Sequence, residues 1–277
     1  MGKVLSAQQV TAYRKTGIHF PLRIFDETGL ARIRPNVAKT REMMGGRFGG
    51  SMNQKPYLLF PWLAELARNE NILDAVEDVL GTPDILCWSG TVFAKDAGDG
   101  KFVSWHQDAT YWGLSSTDVV TAWVALTPST VESGCMRVMP GSHLRQLEHK
   151  DTLHQSNLLS RGQEIAVEVD DSQAIDVVLQ PGEFSLHHVL LVHGSEPNRA
   201  ALPRIGFAIR YIPTSLRQVT GYRDSATLLR GVDRYGNFDL EELPRADLDA
   251  AALAQHARVA ENQKKLFYRE TRKPTVG

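Results

Sequence analysis

His106 and Asp108 stand two residues apart in Ser104-Trp105-His106-Gln107-Asp108, a run with a strand-like pattern in which residues i and i+2 share a face. An imidazole and a carboxylate that converge in this way supply two ligands of a facial triad. Such a triad of two histidines and one carboxylate holds Fe(II) and leaves three coordination positions open. The third ligand must come from a later strand. His193 is placed to supply it: it ends the apolar run Val189-Leu190-Leu191-Val192 just before the turn residues Gly194-Ser195-Glu196-Pro197-Asn198, and Arg204 begins the returning run. A hairpin of that length sets His193 beside Arg204 across the ladder. The guanidinium fork is then suited to clamp a carboxylate whose molecule reaches the metal with its other end.

With nine histidines in the chain, His-x-Asp carries little weight until His193 and Arg204 join it. His19, His149, His154 and His256 are isolated and read as surface or satisfied core residues. His187 shares the parity of His193 but lies six residues before it, about 20 Å along an extended strand, which is too far for the same metal. Packing or a hydrogen bond is expected of His187 and His188, and a turn role of His143 in Pro140-Gly141-Ser142-His143.

The elements that must position these residues fall into three zones. Residues 1–84 read as a helical flank: Ser6 caps a first helix with Gln9 closing the capping box, and a helical run from Trp62 through Ile72, Leu73, Val76 and Leu80 is stopped by Gly81-Thr82-Pro83. Residues 85–213 hold short β-branched and aromatic runs, among them 119–126, 165–169 and 205–211, separated by turn clusters such as Gln180-Pro181-Gly182. Many short strands with no helix between them predict an antiparallel sandwich or barrel. Residues 214–277 read as a loop followed by a terminal helix from about Asp247 to Tyr268. The expectation is one domain over 1–277, mainly β with flanking α.

Lys and Arg total 31 against 32 Asp and Glu, a formal charge of -1, which implies no broad nucleic-acid-binding surface and no acidic tail. Cys87 and Cys135 sit in apolar runs and read as reduced core thiols. No apolar stretch is long enough for a bilayer span and no secretory signal pattern opens the chain, so the expected location is the cytoplasm. Met1-Gly2-Lys3-Val4-Leu5-Ser6 fits a loose myristoylation pattern, but the Ser6 cap explains the serine. Gly45-Gly46-Arg47-Phe48-Gly49-Gly50 lacks the lysine of a nucleotide-binding loop and reads as a mobile loop. Asn53 and Lys55 follow it on a candidate lid, either solvated or meeting a small anionic substrate.

Three ordered motifs, Ser104 to Trp112, Glu132 to His143, and His193-Gly194-Ser195 with Arg204, resemble the phytanoyl-CoA dioxygenase-like family of Fe(II)/2-oxoglutarate oxygenases, over roughly residues 60 to 213. The resemblance implies a double-stranded β-helix, a cupin-like jelly roll, with iron at its open end. It implies His106, Asp108 and His193 as metal ligands, with Arg204 and Ser195 on the distal carboxylate of 2-oxoglutarate. It further implies dioxygen as co-reactant and a small-molecule substrate; no partner protein follows from it.

Thr121 fits a donor to 2-oxoglutarate or a core threonine, and Trp112 a pocket wall or ordinary aromatic packing. Some relatives replace the triad carboxylate with a small residue and halogenate; the presence of Asp108 points to hydroxylation. The substrate expected is a polar or zwitterionic metabolite, such as an amino acid or aminoalkylphosphonate, or a natural-product intermediate. Desaturation, cyclisation or epimerisation at the same iron site, and a non-catalytic ligand-binding jelly roll, are the competing readings. Because metal-bound imidazoles must be deprotonated, iron affinity is expected to fall in acid.

Overall fold

The computed structural model describes residues 2–152, 154, 156–159, 163–166 and 169–267. Met1, Val167, Glu168 and Tyr268, which entered the expectations above, lie outside them. The strands in chain order are β1 (Ile18–Arg23), β2 (Ile85–Lys95), β3 (Val103–His106), β4 (Val120–Ala125), β5 (Met136–Val138), β6 (His149–Asp151), β7 (Gln163–Ile165), β8 (Ile175–Val177), β9 (Glu183–His188), β10 (His193–Ser195), β11 (Arg204–Pro213), β12 (Ser225–Arg230) and β13 (Asp239–Leu240). The helices are α1 (Ala7–Thr16), α2 (Glu27–Met43), α3 (Pro61–Ala67), α4 (Glu70–Leu80) and α5 (Ala250–Phe267).

A seven-stranded sheet in the order β1-β9-β4-β11-β2-β12-β13 faces a four-stranded sheet in the order β3-β10-β5-β8, and β6 and β7 form a separate pair. Neighbours are antiparallel except β12 with β13. This is the jelly-roll architecture, with helices on the outer face of the large sheet. β4 is buried at every residue, and β11 at all but its last, because both are central strands covered on two faces. The outer core joins Ile209 and Val124 to Leu63, Ile72 and Val76 of α3 and α4. The inter-sheet core joins Trp123 and Ala208 to Met136, Val138 and Leu191. Burying one such large apolar side chain contributes about 1.5–3 kcal/mol.

The capping box of α1 is present, with Ser6 Oγ accepting from the Gln9 amide and the Ser6 amide donating in turn to Gln9 Oε1 at 2.8 Å. Gly81 stops α4 in the left-handed conformation, φ 74°. The helical run expected through 62–80 is two helices, because the Asn69 side chain caps α4 by accepting from the Asn71 amide. The flanks also carry strands that the zone reading missed. β1, expected within a helical flank, extends the large sheet beside β9, and β12, expected in a loop, extends it beside β2. Both are flank segments recruited to a sheet edge whose other face the core supplies. Arg230 then ties β12 to α4 through Asp74 at 2.6 Å, Glu77 at 3.0 Å and Glu70.

Asn53 and Lys55 are not lid residues. Asn53 donates from Nδ2 to the Val92 carbonyl at 2.8 Å and accepts from the Val92 amide at 3.2 Å, while the Lys55 amide donates to the Gly90 carbonyl. The segment therefore covers the part of β2 that β12 leaves unpaired, a means of protecting a sheet edge. The Lys55 ammonium is fully buried against Glu241 at 2.5 Å and donates to the Ser225 carbonyl at 2.7 Å. Ser225 and Thr227 donate to the same carboxylate. Lys55→Ala leaves that carboxylate buried and unpaired, so it is expected to cost about 3–5 kcal/mol of folding stability in chemical denaturation. A loss within the ~0.5 kcal/mol typical of a surface substitution would show that the pair is not buried in solution.

Candidate active site

β3 and β10 are neighbours, and His106 and His193 are direct partners in their ladder. Their ring centroids lie 4.1 Å apart. Strand parity does not place Asp108: β3 ends at His106 and a short 3-10 turn begins at Asp108, whose amide donates to the Val189 carbonyl at 3.0 Å. The turn still returns the carboxylate to the first imidazole, with Asp108 Oδ1 3.3 Å from His106 Nε2. One ligand atom from each of His106, Asp108 and His193 lies within 4.8 Å of the others, and all three residues are buried.

The ring tautomers follow from the backbone. Nδ1 of His106 lies 2.9 Å from the Ser104 carbonyl and Nδ1 of His193 lies 2.8 Å from the Leu191 carbonyl. A carbonyl only accepts, so each Nδ1 carries a proton, and a ring in its neutral form then has its Nε2 lone pair for a metal. Two lone pairs and a carboxylate oxygen then meet with no donor between them, an arrangement that a cation satisfies. Two nitrogens and one oxygen suit Fe(II).

Burial raises the Asp108 carboxyl, but His106, Arg210 and His193 outweigh it and hold it well below the usual carboxylate range. Burial, helped by His106, pushes His193 well below 6.5, which moves the expected acid loss of iron to lower pH. Gln107 locks the turn: its side chain donates to the Leu190 and Arg145 carbonyls at 2.7 and 2.9 Å and accepts from the Leu147 amide at 2.7 Å.

His193 and Arg204 do not share a hairpin ladder. β10 belongs to the small sheet and β11 to the large one, so residues 196–203 cross between sheets and the two side chains meet across the sandwich, lining one cavity. Arg204 is 2 % exposed, its Nε has no hydrogen-bond partner, and its guanidinium lies 5.2 Å from the Trp123 ring centroid. Gly206 makes room for that ring, since a Cβ there would stand 2.0 Å from it. Burial lowers the Arg204 pKa to about 10.

Ser195 lines the same cavity, and its Oγ accepts from Lys95 Nζ at 2.7 Å. Lys95, which the sequence reading missed, also donates to the Ser195 carbonyl at 3.3 Å and to that of Glu196. Burial first, then Arg204, pushes its ammonium down to about 7. Thr121 is fully buried on β4 opposite Arg210, and its Oγ1 has no partner.

Two further residues belong to the cavity. His187 lies 5.2 Å from the His193 ring, because the chain turns between sheets after β9 and does not run on as the single 20 Å strand expected. Arg210 lies 4.0 Å from the Asp108 carboxylate. Trp112 is absent from the cavity lining; it packs on Trp88 at 4.9 Å and against the Arg210 guanidinium at 5.6 Å.

Burial pushes His187 down to about 4, so between pH 6.5 and 4 the unfolded chain binds a proton that the folded chain refuses. Stability is therefore full above about pH 6.5 and declines as pH falls, His187 alone accounting for about 2 kcal/mol at pH 5. Denaturant unfolding of the metal-free protein at pH 7 and 5 measures the loss. His187→Gln is expected to reduce the difference by that amount, and an unchanged difference would remove His187 as its source.

The phytanoyl-CoA dioxygenase (PhyH) family model matches residues 2–206. A probable alpha-ketoglutarate-dependent hypophosphite dioxygenase of Stutzerimonas stutzeri is 27% identical over 190 residues, covering 67% of this chain and 62% of that protein. The chain spans about half the length of the curated relatives it matches. Among solved structures, the non-heme monooxygenase ThoJ without ligand superposes with a TM-score of 0.81 at 33% identity, covering 94% of this chain and 98% of that one. CytC3 with Fe(II) and alpha-ketoglutarate superposes with a TM-score of 0.65 at 25% identity, covering 90% and 100%. Among the described residues no helix is long and apolar enough to cross a membrane.

Proposed function

The chain belongs to the phytanoyl-CoA dioxygenase family of Fe(II)- and 2-oxoglutarate-dependent oxygenases, and on that premise we propose that it hydroxylates a small organic substrate. The observation that carries this reading is the cross-strand pair His106 and His193, with Nδ1 of each on a backbone carbonyl and Asp108 beside them, and a buried Arg204 whose Nε has no hydrogen-bond partner in the same cavity. When bound, iron with 2-oxoglutarate and dioxygen supplies an oxidant that cleaves a C–H bond and leaves succinate and carbon dioxide.

The residues have separate tasks. His106, Asp108 and His193 hold Fe(II) on one face and leave the other open. Arg204 takes the distal carboxylate of 2-oxoglutarate. Ser195, whose oxygen already accepts from Lys95, turns its hydroxyl proton toward the same carboxylate. Thr121 contributes a further donor. The proposed substrate is a polar or zwitterionic metabolite or a natural-product intermediate. Asp108 fills the carboxylate position, which supports hydroxylation over halogenation. We propose a single oxygenase domain working in the cytoplasm, where the buried, unpaired Cys87 and Cys135 stay reduced.

Anaerobic loading with Fe(II) and 2-oxoglutarate, followed by air and a panel of candidate substrates, tests the reaction. The expected result is substrate-dependent succinate and a product one oxygen heavier. A product two hydrogens lighter with no added oxygen would assign desaturation or cyclisation instead.

A further inference from the structure

Arg204 and Arg210 stand on one face of β11, with Gly206 and Ala208 between them, and both arginines line the cavity that holds the triad. Six residues separate their backbones by about 20 Å along the strand, and both guanidinium groups reach into the one cavity. Arg210 is 7 % exposed. Its Nη1 donates to Thr91 Oγ1 at 3.2 Å, its Nη2 stands 4.0 Å from Asp108 Oδ2, and its Nε has no hydrogen-bond partner. The rings of Phe93 and Trp112 brace the guanidinium at 5.9 and 5.6 Å.

Asp108 accounts for this arginine only in part, as a nearby charge that accepts none of its hydrogen bonds. A separation of 4.0 Å is beyond hydrogen-bond reach, and that carboxylate is the one proposed to bind the metal. Charge points the same way. With Fe(II) and the 2-oxoglutarate dianion in place, the iron and two arginines outweigh Asp108 and 2-oxoglutarate by one positive charge, and a buried uncompensated charge is costly. An anion arriving with the substrate would neutralise it.

We infer that Arg210 is a specificity-determining residue that receives an anionic group of the substrate, a carboxylate or phosphonate, beside Asp108. This rests on the reading of the site as a 2-oxoglutarate-dependent oxygenase. The bound anion takes the free Nε–H of the fork, and Phe93, which lines the cavity, meets the adjoining carbon chain. The class of substrate is thus an organic acid with an apolar segment next to the acid group.

The test uses the protein loaded with Zn(II) and saturating 2-oxoglutarate, which undergoes no turnover, so that binding is read without activity. Butyrate, 3-phenylpropionate and ethylphosphonate are titrated beside butyramide and 3-phenylpropionamide, following tryptophan fluorescence. The acids are expected to bind about tenfold or more tightly than their amides. Arg210→Gln is expected to abolish that preference with Zn(II) and 2-oxoglutarate affinities retained. Amides binding as well as acids, no acid binding to the wild type, or the preference surviving in Arg210→Gln would overturn the inference. So would loss of Zn(II) affinity with the preference intact, which would assign Arg210 to the metal centre. Should Arg210→Gln not fold, Arg210→Lys keeps the charge but loses the fork, and acid affinity is expected to fall about fivefold or more; unchanged affinity overturns the inference. Failure of the unaltered protein to bind Zn(II) or 2-oxoglutarate at all would instead overturn the oxygenase reading beneath it.

Discussion

Replacing His193 with alanine is expected to abolish stoichiometric Fe(II) binding and all coupled turnover while leaving the fold intact. In the proposed site the ring is one of three protein ligands, and losing a direct ligand must exceed the 10- to 100-fold loss of affinity typical of removing a supporting group behind one. The fold should survive because β10 is held by backbone pairing, His193 opposite both His106 and Val138, and not by the imidazole. Removing the ring also removes a buried group whose neutral form burial enforces, so metal-free His193→Ala should depend less on pH than the wild type. Metal titration with circular dichroism on the same sample checks both parts. Wild-type iron affinity in a folded His193→Ala protein would remove the residue from the ligand set.

Arg204→Gln is expected to weaken 2-oxoglutarate binding by about 2–5 kcal/mol, roughly 30-fold to several thousandfold, with Fe(II) binding alone unchanged. The guanidinium is buried over Trp123 with its Nε unpartnered, so nothing among the described residues replaces the cosubstrate's carboxylate. Because no protein anion is left unpaired by the substitution, stability of the unliganded protein should not fall by a comparable amount. Calorimetric titration of 2-oxoglutarate into metal-loaded protein measures the loss. Wild-type affinity in the variant would place the distal carboxylate elsewhere in the cavity.

That His106, Asp108 and His193 come together was legible in the sequence, not from His-x-Asp alone but from its order with the His193 and Arg204 motifs. Their geometry was less so. Local spacing suggested a His193–Arg204 hairpin and a remote His187, yet the chain crosses between sheets at 189–192 and again at 196–203, and a crossing leaves no local signature different from a turn. The flank strands β1 and β12 were missed for a related reason: each is short and has a partner far along the chain, β1 with β9 and β12 with β2.

Polar residues proved hardest. Lys55 looked solvated because its partner Glu241 is 186 residues away. Lys95 ends a strand, where lysine is ordinarily exposed, and only the fold reveals that Ser195 and Glu196 close over it. Arg210 alternates with apolar neighbours as a solvent-facing strand residue would; that its face is the cavity wall follows only once the second sheet is in place.

The most direct test of the central claim is an anaerobic titration of the metal-free protein with Fe(II) and 2-oxoglutarate, followed by the visible charge-transfer absorption of their chelate. One site per chain is predicted, with the absorption lost in His106→Ala and His193→Ala and shifted to higher 2-oxoglutarate concentration in Arg204→Gln. No such absorption in the wild type, or the same absorption at the same concentrations in all three variants, would contradict the assignment of this cavity as an iron and 2-oxoglutarate site.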